Sequence, residues 1–245
     1  MENSTELEKH IDSLRNYVAR TDHKYAINYN KGRDIHPIPF FGNIKTAEIL
    51  TVGANPSNAE FLGNREWPKE INAIDLMNRL INYFNCSISP HPWFEKWEKA
   101  LRHLNRSYSD GTAAHIDLTP RATFPIRHLK DKDIFIEMVE KDIEWFFKLI
   151  ILCSKVKLIL IAGSITNKYY INEFIEKHSG KNDFKWLIES KRGHGPAFTS
   201  SHKLKFKDKT YPIFYCSSGP SDTKKPGLFI ERIDEKKDRL LNHLE

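Results

Sequence analysis

Four short apolar runs alternate with longer amphipathic segments along the chain. The runs are rich in isoleucine, leucine and aromatic residues, and turn-forming residues bound each of them, which is typical of buried strands. They cover residues 47–53, 113–118, 156–163 and 211–216. Because longer segments with a helical pattern separate these strands, the sequence predicts a mostly parallel sheet covered by helices on both faces.

The segments between the runs carry apolar residues at helical spacing. In the first of them, Leu7, Ile11, Leu14 and Val18 share one helical face. Further helices are predicted over residues 74–84, 93–104, 133–152, 165–178 and 227–244. We interpret residues 36–43, which contain two prolines, as a loop, and residues 198–209 as a basic β-hairpin inserted before the last strand.

Composition and length favour one globular domain. The chain has 245 residues, 40% of them hydrophobic, and no glycine- or serine-rich linker divides it. We therefore predict a single α/β domain over residues 1–245, with residues 1–35 as an N-terminal helical extension, and expect a monomer. The charged N-terminus lacks an apolar signal core, so we expect a cytoplasmic protein.

Three widely spaced cysteines, Cys86, Cys153 and Cys216, argue against a disulfide framework. No CxxC pair or Cys/His cluster with metal-ligand spacing is present in the sequence. We therefore expect neither a metal nor another cofactor.

The positive charge of the chain is concentrated in one segment. The formal net charge is +6, and residues 181–209 hold eight basic residues against three acidic ones. Two interpretations remain open for lysines such as Lys203 and Lys205. They contact DNA phosphates, or they coat an exposed strand edge and prevent aggregation.

Polar and turn-forming residues follow each predicted strand. The sequences are GANPSNAEF at 53–61, DLTP at 117–120, GS at 163–164 and CSSGPS at 216–221. Any one of them is ordinary loop sequence. Because ligands bind outside the carboxyl ends of strands in open parallel sheets, the four loops together predict a shared crevice.

Two of these loops resemble motifs of a known enzyme superfamily. GANPS, followed by Glu60 and Phe61, resembles the first motif of the uracil-DNA glycosylase superfamily, especially its mismatch-specific branch with a Gly-x-Asn-Pro pattern. CSSGPS resembles the second motif, and HIDLTPRAT at 115–123 resembles the segment that holds the base-reading residue. The resemblance extends from Pro37 to the C-terminus at the level of the fold. It implies a three-layer α/β/α sandwich with a central four-stranded parallel sheet and a pocket for an extruded nucleotide.

The first motif implies roles for three residues. Asn55 matches the position that orients a water near C1′ while positive charge develops on the sugar. An amide orients that water but does not take its proton at neutral pH. Ala54, beside Asn55, is assigned to base binding. Phe61 matches an aromatic residue that stacks on the base. The structural alternatives are turn geometry for Asn55 and core packing for Phe61, while Trp67, Trp93 and Trp97 are assigned to packing.

Asp117 occupies the position where many members carry the asparagine that reads the base. An ionised carboxylate only accepts hydrogen bonds, which suits the N4 amine of a cytosine-type base and disfavours O4 of uracil. His115 is the alternative base-reading residue, and Asp117 as a cap of the following turn is the structural alternative.

The second motif departs from the superfamily pattern at Cys216, where a histidine or asparagine usually binds the pyrimidine O2. A thiol donates weakly, so Ser217 or Ser218 is expected to substitute, and we assign Ser218 to catalysis. The remaining residues of this region are assigned to DNA contacts, together with one residue of the first motif: Ser57, Ser217, Gly219, Ser221, Lys224 and Lys225.

The sequence thus predicts a monofunctional DNA glycosylase that acts on double-stranded DNA with an extruded base and leaves an abasic site. Asp117 and Cys216 favour a modified cytosine, for example the glucosylated hydroxymethylcytosine of phage DNA. A uracil or deaminated-base repair enzyme and a catalytically silent DNA-binding module are the alternatives. A small-molecule enzyme with a similar sheet has no support, because neither GxGxxG nor GxxxxGK[ST] occurs.

Overall fold

A computed structural model of the chain describes residues 2–21, 23, 26, 36–61, 67–68, 70–86, 89–125, 129–166, 169–190, 197–220, 222 and 227–245. Its strands are β1 (Phe40–Phe41), β2 (Ile49–Gly53), β3 (Ala113–Asp117), β4 (Leu158–Ala162), β5 (Lys185–Ile188), β6 (Thr199–Phe206) and β7 (Lys209–Cys216). They form one sheet in the order β1-β3-β2-β4-β7-β6-β5.

The centre of the sheet is parallel and its edges are antiparallel. Strands β3, β2, β4 and β7 pair in parallel, and they correspond to the four predicted runs. Strand β1 pairs antiparallel with β3, while β6 and β5 extend the other edge in antiparallel pairing. The predicted purely parallel four-stranded sheet is therefore corrected to a mixed sheet of seven strands.

The antiparallel edge also corrects the predicted hairpin at residues 198–209. Strand β6 pairs with the last strand itself, through a two-residue turn at Lys207 and Asp208. Lys207 has a φ of 52°, the left-handed conformation that such tight turns require. The basic segment is consequently part of the main sheet and not a separate insertion.

The helices are α1 (Glu2–Arg20), α2 (Ala73–Ile81), α3 (Pro92–His103), α4 (Lys132–Leu152), α5 (Ile171–Ser179), α6 (Leu228–Asp234) and α7 (Lys237–Leu241). Side-chain caps fix three of their beginnings. Asn72 accepts from the Asp75 amide, His91 accepts from the Trp93 amide, and Asp131 accepts from the Asp133 and Ile134 amides. The connections β2 to β3 and β3 to β4 step in opposite directions across the sheet, which places helices on both of its faces.

Helix α1 packs against α2 and α4. Its apolar face buries Leu7, Ile11 and Leu14, as the helical spacing predicts. The helix ends at Arg20, and residues 22, 24–25 and 27–35 of the predicted extension lie outside the described residues. Within the described ranges, no helix combines the length and apolar character needed to cross a membrane.

Candidate functional site

A cavity of about 620 Å³ lies where the sequence predicts a crevice, at the carboxyl ends of the parallel strands. Strand register brings these ends together, since Gly53 is opposite Asp117 and Ala162 is opposite Cys216. The loops after all four strands contribute to the lining, and the predicted site residues among the lining are Ala54, Asn55, Ser57, His115, Asp117, Ser217 and Gly219. The two motifs and the intermediate segment therefore meet at one site.

Asn55 is held in a single orientation by its amide nitrogen. Nδ2 donates to the carbonyls of Pro56 (2.8 Å) and Arg121 (3.3 Å) and to the hydroxyl of Thr123 (2.9 Å). Because two of these partners only accept, the nitrogen and oxygen of the amide cannot be exchanged. No described residue donates to Oδ1, which leaves this oxygen as an acceptor on a side chain that lines the cavity.

A buried ion pair supports the segment that holds Asn55. The Arg121 guanidinium donates to Asp142 Oδ2 at 2.8 Å, and both side chains are buried. The same guanidinium donates to the carbonyl (2.6 Å) and hydroxyl (2.5 Å) of Thr21, immediately after α1. Arg121 therefore connects α1 and α4 to the loop whose backbone accepts from Asn55.

His115 and Asp117 form a buried pair at the end of β3. Alternate residues of a strand share a face, so both side chains point to the same side of the sheet. His115 Nε2 lies 3.2 Å from Asp117 Oδ1, and its Nδ1 lies 2.7 Å from Thr51 Oγ1. Thr51 Oγ1 in turn lies 2.6 Å from the Tyr108 hydroxyl. These four residues form a hydrogen-bonded chain that ends at the cavity.

Gly53 of the first motif provides the space that this pair occupies. A Cβ at Gly53 would lie 2.4 Å from Asp117 Oδ1 and 2.7 Å from His115 Nε2, closer than such contacts occur. The glycine of the Gly-x-Asn-Pro pattern is therefore required by the pair in the neighbouring strand.

The second oxygen of Asp117 has no partner among the residues that the structure describes. Oδ2 is buried without a hydrogen bond in the described structure, and the side chain is 2% exposed. Burial raises the pKa of the Asp117 carboxyl, and His115 opposes that shift. An unpaired buried acceptor carries a free-energy cost, and Asp117 is also one of the residues that line the cavity.

The structure separates the residues assigned in the second motif. Ser217 lines the cavity, and its Oγ is buried without a partner among the described residues. Ser218, assigned to catalysis, is 1% exposed and donates to Asp222 Oδ2 at 3.0 Å, and it does not line the cavity. Cys216 is also buried in the core, where burial raises its thiol pKa to about 11. Ser217 and Ser218 lie in the bend that follows β7, and within this bend Ser217 lines the cavity whereas Ser218 does not.

The aromatic side of the cavity differs from the expectation. Phe61 does not line the cavity; its ring lies 5.5 Å from that of Trp67, on the core. Trp93, which the sequence assigns to packing, lines the cavity and contacts the His115 ring edge-on at 4.9 Å. Phe94 and Phe41 complete the aromatic surroundings of His115.

The position of Trp93 in the chain could have indicated that it lies at the site. Helix α3 directly precedes a parallel strand, so its first turn lies at the carboxyl edge of the sheet, next to the site. The site also contains Glu60, which belongs to the first motif but has no predicted role, and His91, which the sequence does not indicate. The Tyr83 hydroxyl donates to Glu60 Oε2 at 2.6 Å, and His91 Nδ1 accepts from the Trp93 amide at 3.1 Å.

The predicted DNA-contacting lysines lie away from the cavity or outside the described residues. Strand β6 pairs Thr199 with Cys216 at the cavity edge and Lys205 with Thr210 towards the other edge. Six residues of strand place Lys205 about 20 Å from the cavity edge. Lys203 forms an ion pair with Glu189 at 2.6 Å. Lys224, Lys225 and Ser221 lie outside the described residues.

Neither protein-family models nor curated proteins gave a match to this chain. Among the described residues, no group of three or more histidine, cysteine, aspartate or glutamate side chains is placed to hold a metal ion. The cavity combines an oriented amide oxygen, aromatic rings, and a carboxyl oxygen and a hydroxyl that have no partner among the described residues.

Proposed function

We propose that this protein is a monofunctional DNA glycosylase, related to the uracil-DNA glycosylase superfamily, that hydrolyses the glycosidic bond of an extruded modified cytosine. The observation that carries the proposal is the meeting of Asn55, Asp117 and Ser217 at one cavity. Each residue comes from a different segment of the superfamily resemblance. The four parallel central strands are also compatible with the sheet that the resemblance implies.

Asn55 is the residue proposed to orient the attacking water. Its Nδ2 is engaged by three acceptors, which leaves Oδ1 to accept a hydrogen from water. The amide holds the water near C1′ and does not deprotonate it, and an oxocarbenium-like sugar requires only a weak nucleophile. The described residues that line the cavity include no lysine. The water that accepts its orientation from Asn55 Oδ1 is the proposed nucleophile, and its attack leaves an intact abasic site.

Ser217 is proposed to replace the usual histidine or asparagine of the second motif. Its unpaired Oγ donates to the pyrimidine O2, where negative charge develops as the base leaves. This assignment replaces Ser218, whose hydroxyl is engaged by Asp222.

The size of the cavity supports a base with a substituent. About 620 Å³ lies within the range of pockets for drug-sized ligands, roughly 300–1,000 Å³. An unsubstituted pyrimidine fills only part of that space, whereas a glucosylated hydroxymethylcytosine fills more of it. Trp93 offers an aromatic surface on which the base stacks.

A panel of duplexes, each with one modified base, tests the proposal by the appearance of abasic sites. We expect release of modified cytosine, slower or no release of uracil, and no strand cleavage before alkali treatment. Rapid release of uracil would support a repair enzyme instead. Binding without any release would support a catalytically silent module.

Two matched variants test the assigned residues. Asn55→Ala should abolish release while DNA binding persists. Ser217→Ala should slow release on the order of 10²-fold, as loss of one donor to a developing oxyanion does. Ser218→Ala is the control and should retain the native rate. Equal losses in the two serine variants would contradict the assignment of Ser217.

A further inference from the structure

Resting on the proposed glycosylase function, we propose that Asp117 is the general acid that protonates the leaving base. Its substrate class is a base with a ring-nitrogen acceptor beside an exocyclic amine, as at N3 and N4 of cytosine. In this role the neutral carboxyl donates from Oδ2 to N3 of the base, and Oδ1 accepts from N4–H. His115 acts through Asp117 as a positioning residue.

The chemistry of a cytosine-type leaving group requires such an acid. Departure of the base with the bonding electron pair places negative charge on a ring that stabilises it poorly. A positioned acid removes that charge, and general acid catalysis contributes typically about 10²–10⁴-fold. With its proton on Oδ2, the carboxyl also discriminates against uracil, because this O–H donor would meet the N3–H donor of that base.

The hydrogen-bonded chain behind Asp117 supports one assignment of donors and acceptors. Tyr108 is buried, and its hydroxyl has Thr51 as its hydrogen-bonding partner. The tyrosine proton therefore points to Thr51 Oγ1. The threonine proton has two acceptors in reach, the Ala114 carbonyl at 3.4 Å and His115 Nδ1 at 2.7 Å, and we assign it to the nearer Nδ1. The remaining imidazole proton is then on Nε2, directed at Asp117 Oδ1. His115 thus stabilises the carboxylate that remains after Oδ2 has lost its proton.

The proposed step balances in atoms and charge. The proton moves from Asp117 Oδ2 to N3 while the C1′–N1 bond breaks and its electron pair passes to the base. The base leaves as a neutral tautomer. Water held by Asn55 bonds to C1′ and releases a proton to solvent, and Asp117 regains a proton from solvent.

The surroundings of Asp117 determine how the reaction responds to pH. His115 and Tyr108 are the titratable groups of the chain behind it, and Glu60, His91 and Asp222 line the same cavity. Because the step requires the protonated carboxyl, the rate should fall as the pH rises through the pKa of Asp117. Burial raises that pKa from the ordinary value of 3.8.

Single-turnover release from two matched duplexes tests the proposal. One duplex contains 5-hydroxymethylcytosine, a poor leaving group, and the other contains 5-formylcytosine, whose electron-withdrawing substituent makes departure easier. Asp117→Asn should slow release of the first base about 10²–10⁴-fold and release of the second at least tenfold less. The fall in rate at high pH should disappear in this variant. Equal losses on both duplexes, or an unchanged pH profile, would overturn the proposal.

A second variant tests the positioning role of His115. Thr51→Val removes the hydroxyl that donates to His115 Nδ1. The imidazole proton can then move from Nε2 to Nδ1, and His115 no longer donates to Asp117. We expect slower base release, and we expect the decrease of the rate with rising pH to occur at a higher pH than in the native protein. An unchanged pH profile would contradict the positioning role of His115. If the native protein releases neither of these bases nor any other base of the duplex panel, the glycosylase function itself fails. If it releases both and Asp117→Asn does so at the native rate, only the general-acid proposal fails.

Discussion

Replacement of Gly53 by alanine would test whether the first motif and the His115–Asp117 pair form one unit. Gly53 does not have a left-handed backbone conformation, so the substitution introduces no backbone strain. The added Cβ would lie 2.4 Å from Asp117 Oδ1 and 2.7 Å from His115 Nε2. Thr51 and the ring of Trp93 restrain His115, so the pair cannot move away freely.

The expected cost of Gly53→Ala is that of overpacking a rigid site, about 1–3 kcal/mol. For a chain of this size, each kcal/mol lowers Tm by roughly 2–4 °C. Urea denaturation gives the free energy of unfolding, and the duplex panel gives the rate of base release. We expect both to fall, because the pair must separate to admit the methyl group.

Gly180→Ala is the matched control for this prediction. A Cβ at Gly180 would meet nothing within 4 Å, and the residue has helical dihedral angles. This control should therefore be neutral or gain about 0.4–1 kcal/mol. Native stability together with native base release in Gly53→Ala would refute the reasoning, because it would show that the pair relaxes without consequence.

Three further predictions concern charge, stacking and DNA affinity. Because burial raises the pKa of Asp117, the folded protein binds more protons than the unfolded chain above pH 3.8, so this residue's contribution to stability is lost as the pH rises. Asp117→Asn should thus raise the free energy of unfolding at pH 7 and lose that advantage near pH 4, as urea titrations at several pH values would show. Trp93→Ala should weaken binding of an extruded base by about 1–3 kcal/mol. Phe61→Ala should lower the free energy of unfolding with little effect on base binding. The opposite outcome would identify Phe61 as the stacking residue. Lys205→Ala combined with Lys207→Gly should weaken DNA binding and flatten its salt dependence without changing release from saturated DNA, and an unchanged salt slope would show that this edge is only solvated.

The central strands could be predicted from the sequence because burial on both faces leaves continuous apolar runs. Strand β2 is buried at every residue, and so are β3 and β4. The edges lack this signal. Strand β1 has only two residues, and β5 is largely exposed, so neither shows the alternation that identifies a strand. The final helical pattern likewise divides into α6 and α7 at Glu235 and Lys236.

The location of the site could be predicted from the sequence, but the direction of individual side chains could not. Strand ends identify Asn55 and Asp117 because a parallel sheet gathers its carboxyl ends at one edge. The choice between Ser217 and Ser218 depends on the backbone conformation directly after β7, and the residue types do not determine that conformation. The pairing of His115 with Asp117 required the register between β2 and β3, and this register also explains the glycine at position 53.

The contacts of Arg121 with Thr21 and Asp142 make the site sensitive to removal of α1. A chain that began after residue 21 would retain every residue of the cavity, yet the guanidinium would lose both contacts with Thr21. The interior would then contain a cation with two unsatisfied donors beside Asp142. Rearrangement of Arg121 would move the carbonyl that accepts from Asn55. Removal of α1 would accordingly loosen the position of the Asn55 amide at the cavity, although no described residue of α1 itself contributes to the lining.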